Sequence, residues 1–182
     1  MRLAPLLCTA MLLSTPVLAQ EAAEWDWPEP QISSDISALP PAVQEKRAAL
    51  IEAARSGDIE ALRPIIDAQK SRPNVSFGAP DDPVAFLKDV SEDDEGRQIL
   101  GLMLDLFDQP YAYYPDSGGE TYYIWPYLSE LDPNNLTAEQ TVDAYRLIDS
   151  EGIEELKQFG GWYYWRLHIS ESGEWSAFVA GD

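Results

Sequence analysis

The stretch Ile99 to Phe107, ILGLMLDLF, is apolar almost all the way round a helix, and no other feature restricts the fold so strongly. A helix with one apolar stripe can rest on a surface, whereas one that is apolar on most sides must be enclosed. The pattern therefore predicts a central buried helix with other elements packed around it. The segment before it, Ser91 to Glu95, reads as the opening of that helix, with acidic residues favoured by the helix dipole.

The flanking sequence supplies those elements. Pro41 opens a helix in which Val43, Arg47, Leu50, Ile51 and Ala54 share a face, and Ser56-Gly57-Asp58 ends it. A second helix carries Ile59, Leu62, Ile65 and Ile66 to about Gln69. The string AARSGDIEALRPII resembles one helix-turn-helix unit of an ankyrin array, but it has no second copy and reads as an αα-hairpin packed on the rest. Ser71 to Pro80 reads as a loop. Asp82-Pro83 is a strong helix start, an N-cap followed by proline. Thr137-Ala-Glu-Gln140 is a capping box that predicts a helix through Val142, Tyr145 and Ile148. A further helix, Ile153 to Phe159, stops at Gly160-Gly161.

Two aromatic runs, Tyr111 to Pro115 and Thr121 to Tyr127, flank a Gly-Gly turn and read as a β-hairpin. A second hairpin closes the chain, Trp162 to Ile169 and Trp175 to Val179. With Glu171-Ser172-Gly173 as a three-residue loop, Ile169 faces Trp175, Leu167 faces Ala177 and Trp165 faces Val179. Those six form one apolar face, which leaves Trp162, Tyr164, Arg166, His168, Ser176 and Phe178 on the other. The fold class is α+β: an N-terminal αα-hairpin and further helices packed on antiparallel β-hairpins. It is a single domain over residues 42–182, after a Pro-rich linker over residues 20–41. Trp25 and Trp27 in that linker provide a means of docking onto the domain.

The first 19 residues read as a signal peptide. Arg2 is the basic n-region, Leu3 to Leu13 is apolar, and Val17-Leu18-Ala19 is a small-residue cleavage site. That stretch is too short to span a bilayer, so the expected mature chain does not cross the membrane. Cys8, the one cysteine, lies inside the apolar stretch with too little apolar sequence before it for a lipoprotein. Beyond it there is no thiol, which excludes disulfides, thiolate catalysis, haem attachment and thiolate metal sites. Without Arg2, 11 basic residues face 32 acidic ones. Such a chain is repelled by nucleic acid and by anionic lipid. Its acidic surface keeps an exported protein soluble, and it also suits a cation or a basic partner.

Catalytic and metal signals are weak. His168 is the single histidine, and no serine sits in a G-x-S-x-G elbow, so a Ser-His-Asp triad has no motif behind it. A zinc site would need three carboxylates beside that one histidine. EF-hand spacing fails where Leu102 stands in place of a bidentate glutamate, and Asp132-Pro-Asn-Asn fails likewise. The expectation is no metal and no cofactor. Asn74-Val-Ser and Asn135-Leu-Thr match the glycosylation triplet, a signal that matters only in a eukaryotic secretory host.

The aromatic runs carry more. Strand alternation means that one aromatic set is core, while the other is either covered by a helix or exposed as a platform. The candidate ligand-binding residues are Tyr164, Arg166, His168, Trp162 and Trp125, with no catalytic residue identified. Arg166, beside Trp165, reads by default as an ion-pair or cation–π partner, with anion capture as the alternative.

The ending WYYWRLHISESGEWSAFVAGD is the most distinctive part of the chain. With Asp82-Pro-Val-Ala-Phe-Leu, Glu95-Gly-Arg-Gln-Ile-Leu and Tyr123-Ile-Trp-Pro-Tyr, it resembles a family of uncharacterised exported alphaproteobacterial proteins that end in W-R-L-x-I, then G-x-W-x-x-F-V-A-G-D. In the family pattern a phenylalanine stands where this chain has Ala177. The resemblance covers about residues 40 to 182. It implies a periplasmic setting and brings no activity or catalytic residue. Two functions are expected: a non-catalytic module binding an envelope protein or glycan, or a hydrolase of envelope glycan or peptide using carboxylates near the Tyr/Trp-rich hairpins.

Overall fold

The computed structural model describes residues 29–115 and 118–181. The signal-peptide reading and the first part of the linker lie outside the described residues. Five antiparallel strands form one sheet in sequence order: β1 Gln31–Ser33, β2 Tyr111–Tyr113, β3 Tyr122–Trp125, β4 Arg166–Ser170 and β5 Trp175–Val179. The helices are inserted between strands that are neighbours in the sheet. Between β1 and β2 run α1 Pro41–Ser56, α2 Arg63–Asp67, α3 Pro83–Asp89 and α4 Arg97–Phe107. Between β3 and β4 run α5 Ala138–Tyr145 and α6 Ser150–Phe159. The α+β class stands, as do both hairpins.

The central helix is where its pattern requires it. Ile99, Leu100, Met103, Leu106 and Phe107 of α4 are all buried, and α4 packs against α1 and β4. Arg47 of α1 ties the pair together. Its Nη2 donates to the carbonyl of Phe107 at 2.7 Å, and its guanidinium lies 5.1 Å from the centre of the Phe107 ring. A cation at a helix C-terminus satisfies a carbonyl that has no intrahelical partner. The acidic run before α4 is a turn and not the helix itself. Asp93 accepts from the backbone N–H groups of Glu95, Arg97 and Gln98, which holds its carboxyl well below the usual range. Asp82 caps α3 in the same way through the N–H groups of Val84 and Ala85, and the Thr137–Gln140 capping box forms reciprocally. Helix α5 ends at Tyr145, short of the expected Ile148; Val142 and Tyr145 are exposed, and Ala144 is the helix's buried residue.

The linker reading fails over its last part. Residues 31–33 are an edge strand, with Gln31 opposite Tyr113 and Ser33 opposite Tyr111. Two tyrosines hold it: the Tyr111 hydroxyl donates to the Asp35 carbonyl at 3.0 Å, and the Tyr113 hydroxyl to Gln31 Oε1 at 2.7 Å. A three-residue strand has too short a pattern for alternation to show.

The sheet has two unlike faces. On the first, Tyr111, Tyr113, Tyr123 and Trp125 from β2 and β3 meet Leu167, Ile169, Trp175 and Phe178 beneath α1 and α4. Their rings pack edge to face or tilted, with centroids 5.3–5.7 Å apart for Phe107–Trp125, Tyr111–Trp125 and Tyr111–Tyr123. This is the aromatic set that had to be core. The second face carries Ala112, Ile124, Arg166, His168, Ala177 and Val179, set by the registers Ala112↔Ile124↔His168↔Ala177 and Arg166↔Val179. It is small and mixed, and no second aromatic platform arises there among the described residues.

The register expected for the terminal hairpin is right at Ile169↔Trp175 and wrong beyond it. A bulge between His168 and Ile169 puts Leu167 opposite Phe178 and Arg166 opposite Val179. Two residues of β5 oppose one of β4, so the alternation of β5 reverses after Trp175. Phe178 joins the core, while Ala177 and Val179 move to the second face. Trp165 packs on Phe178 with centroids 4.7 Å apart at the margin of the core. Gly173, at φ +85°, makes the turn, and a Cβ there would stand 2.9 Å from the Ala42 carbonyl oxygen.

The β5 edge is closed by the loop that follows α2. Gln69 donates its amide Nε2 to the Trp175 carbonyl at 2.9 Å and accepts the Trp175 N–H at 3.1 Å. Asn74 then bridges the strand in parallel, its N–H to Ser176 O and its carbonyl to Phe178 N, both at 2.8 Å. An edge covered in this way offers little backbone to a passing chain.

Candidate functional site

The five residues singled out in the sequence occupy three separate places. Trp125 is wholly buried between Phe107 and Tyr111. It is a core side chain closed to any ligand, because alternation from Tyr123 points it at α4. Trp162 is buried against Ile153, Leu156 and Tyr127, and its indole N–H donates to the Trp165 carbonyl at 3.2 Å. Tyr164 stacks on Tyr163 with centroids 4.7 Å apart. Both hydroxyls donate to Glu155 Oε2, at 2.7 Å from Tyr163 and 3.3 Å from Tyr164. Gly152 makes room for this: a Cβ there would meet the Tyr164 hydroxyl at 2.7 Å. These contacts fasten the β4 approach onto α6. The recess beneath, between Trp162, Tyr164, Trp165, Leu106 and Leu147, holds about 50 Å³. Small-molecule sites are several times larger.

Arg166 and His168 share the second sheet face. Arg166 Nη1 donates to the Gly181 carbonyl at 3.0 Å. His168 Nε2 is enclosed and has no hydrogen-bond partner among the described residues. Burial first, then the neighbouring Arg166 cation, pushes its imidazole down to about 4 from an ordinary 6.5. It is therefore neutral near pH 7. A general base needs a reachable proton and a pKa near the working pH, and His168 meets neither condition. Among the described residues no group of three His, Cys, Asp or Glu side chains converges as a metal site would require. No helix among them is long and apolar enough to cross a membrane.

A polar hollow lies elsewhere, at the turn end of the terminal hairpin. It encloses about 460 Å³ between Lys70, Arg72, Glu120, Tyr122, Ser170, Ser172, Glu174 and Ser176, with Trp175 in its floor. Three elements bring these residues together. The loop after α2 supplies the two cations, the segment entering β3 supplies Glu120 and Tyr122, and the β4–β5 turn supplies the serines. Ser170 and Ser172 share a hydrogen bond at 2.8 Å. Hydrogen bonds from Ser172 and Ser170, with Lys70 nearby, hold the Glu120 carboxyl below its usual range. Glu174 accepts the Lys70 backbone N–H at 3.0 Å. Beyond Arg72 and Ser176 the groove continues into a second hollow of about 470 Å³ beneath Asn74, Ser76 and Phe77. Tyr122 and Phe77 stand exposed, at 41% and 60%. Arg72 is pinned by donating to the Asp81 carbonyl.

Sequence reasoning passed over this groove. Its one local signal was the pair Lys70 and Arg72, two positions apart in a chain with only 12 basic residues. No family model, curated protein sequence or solved structure matches the chain.

Proposed function

We propose that the protein is an exported, periplasmic, non-catalytic binding module, and that its groove at the hairpin turn takes a polar envelope glycan. The observation that carries the reading is the composition of the groove wall. Exposed rings at Tyr122 and Phe77 offer stacking faces, and the hydroxyl oxygens of Ser172 and Ser176 offer acceptors at the wall, with the buried Ser170 hydroxyl tied to Ser172 behind them. Lys70 and Arg72 place positive charge in an otherwise acidic molecule. Saccharides expose hydroxyl edges and C–H faces together, and this wall matches both. Protein binding sites of this kind combine a few oriented polar groups with aromatic surface.

Glu120 and Glu174 share the groove, which raises the hydrolase reading. Glycoside cleavage needs one carboxyl kept protonated to act as the acid. Glu120 is driven the opposite way, toward the ionised form, by the serine hydroxyls it accepts. Glu120 is thus poorly suited to act as that acid, which supports holding over cleavage.

The test is a titration of isotope-labelled protein with soluble peptidoglycan fragments, followed by amide shifts. Shifts are expected at Tyr122, Ser172 and Arg72. Tyr122→Ala and Arg72→Ala should each weaken binding about tenfold with unchanged melting, a loss typical of one polar or stacking contact. Fragment hydrolysis, or no shift at millimolar fragment, would overturn the reading.

A further inference from the structure

The groove at the hairpin turn is two hollows with a shared waist. Its parts, of about 460 and 470 Å³, have Arg72 and Ser176 in common. Each alone falls in the range that encloses a whole small ligand, about 300–1,000 Å³. Each also carries one exposed ring, Tyr122 in the first and Phe77 in the second. A single sugar seated in one hollow therefore meets one ring and leaves the other unused.

The waist is fixed from both sides. Gln69 pins the loop to β5 through its two bonds with Trp175, and Lys46 Nζ of α1 donates to the same Gln69 Oε1 at 2.9 Å. Asn74 pins the loop again through Ser176 O and Phe178 N. Arg72 stands between these pins in the chain and is itself tied to the Asp81 carbonyl. Ser176 Oγ donates to the His168 carbonyl at 3.1 Å, which leaves that oxygen as an acceptor. A ligand thus meets a surface whose loop is already held, and little ordering opposes binding. Charge then sorts the ligands. The charged side chains of the two walls are Lys70 and Arg72 against Glu120, Glu174 and Asp81. The cations are matched locally by carboxylates, and a chain of formal net charge −20 repels a polyanion at longer range.

We infer that the groove takes an uncharged linear oligosaccharide lying across both hollows, with one ring on Tyr122, another on Phe77, and the sugar between them hydrogen-bonded by Arg72 and Ser176. The inference rests on the glycan-binding reading and adds that the ligand is a neutral strand, neither a lone sugar nor an acidic polymer.

Chitin oligosaccharides from dimer to hexamer, and oligogalacturonates of the same lengths, titrated into isotope-labelled protein, test it. The chitin tetramer should bind at least about tenfold tighter than the dimer, the gain expected of one added stacking contact. It should move the amides of both hollows together, Tyr122 and Ser172 with Ser76 and Phe77. Phe77→Ala, at an exposed position, should keep its melting temperature and lose the gain with length. Equal affinity for dimer and tetramer, or shifts confined to one hollow at every length, would overturn the inference and leave the glycan-binding reading standing. So would tighter binding of the oligogalacturonate, or a response to peptidoglycan fragments with none to chitin oligosaccharides. No response to any of these glycans would remove the glycan-binding reading itself, and the inference with it.

Discussion

Mild acid should destabilise this protein through one residue. His168 is neutral in the native state, with its imidazole pushed down to about 4 by burial and by Arg166. In the unfolded chain it takes up a proton near its ordinary value of about 6.5. The unfolded state therefore binds more protons as pH falls below about 6.5, and stability present above that pH is progressively lost toward 4. The full separation is worth about 3 kcal/mol, and between about pH 7.5 and pH 5 the loss is about 2 kcal/mol. For a domain of this size that is a fall of about 4–8 °C in melting temperature. The window is clean because no second histidine exists. The carboxylates held low by hydrogen bonds, Asp35, Asp82, Asp93 and Glu120, begin to lose their contribution only below about pH 5, so the comparison between about pH 7.5 and about pH 5 isolates His168. Urea denaturation of the protein and of His168→Gln at a series of pH values measures it. The variant should lack the loss that the unaltered protein shows. Parallel pH curves for the two would mean that His168 is already as wet in the native state as in the unfolded one, and the argument would be refuted.

Other outcomes follow from the same geometry. Phe178→Ala should cost about 3–5 kcal/mol in a urea titration and Val179→Ala about 1–2 kcal/mol, because the bulge turns the larger side chain into the core; equal costs, or the reverse order, would put the register back to the unbulged one. Trp165→Ala should fall below Phe178→Ala, since Trp165 sits at the core margin. Gly173→Ala should lower stability by about 1–3 kcal/mol in a thermal melt, through its positive φ and the contact with Ala42; an unchanged melting temperature would contradict both. With a formal net charge of −20, raising salt from about 0.02 M to about 0.3 M at neutral pH should raise the melting temperature by screening self-repulsion. A flat response would mean that the charge is compensated locally.

Local signals determined the elements. The wrap-around apolar pattern of Ile99 to Phe107 made α4 central, Asp82-Pro83 and Thr137–Gln140 marked helix starts, and Gly57 and Gly160 marked ends, all through interactions within a few residues. Alternation in the two aromatic runs placed two hairpins and required one aromatic set to be core. Tertiary structure decided what depends on neighbours far along the chain. The bulge between His168 and Ile169 reversed the faces of β5 after Trp175, since two residues of one strand accommodated to one of the other as Phe178 was drawn into the core. Trp125 and Trp162, legible as aromatics, turned out to be packing because helices cover them. The groove was illegible because its walls come from around residues 70, 120 and 175, and no pattern within one segment records that the β5 edge pulls Lys70 and Arg72 alongside Tyr122. Periodicity reports which side of its own element a residue occupies; what stands opposite that side is set only when distant segments compete to bury their apolar surface together.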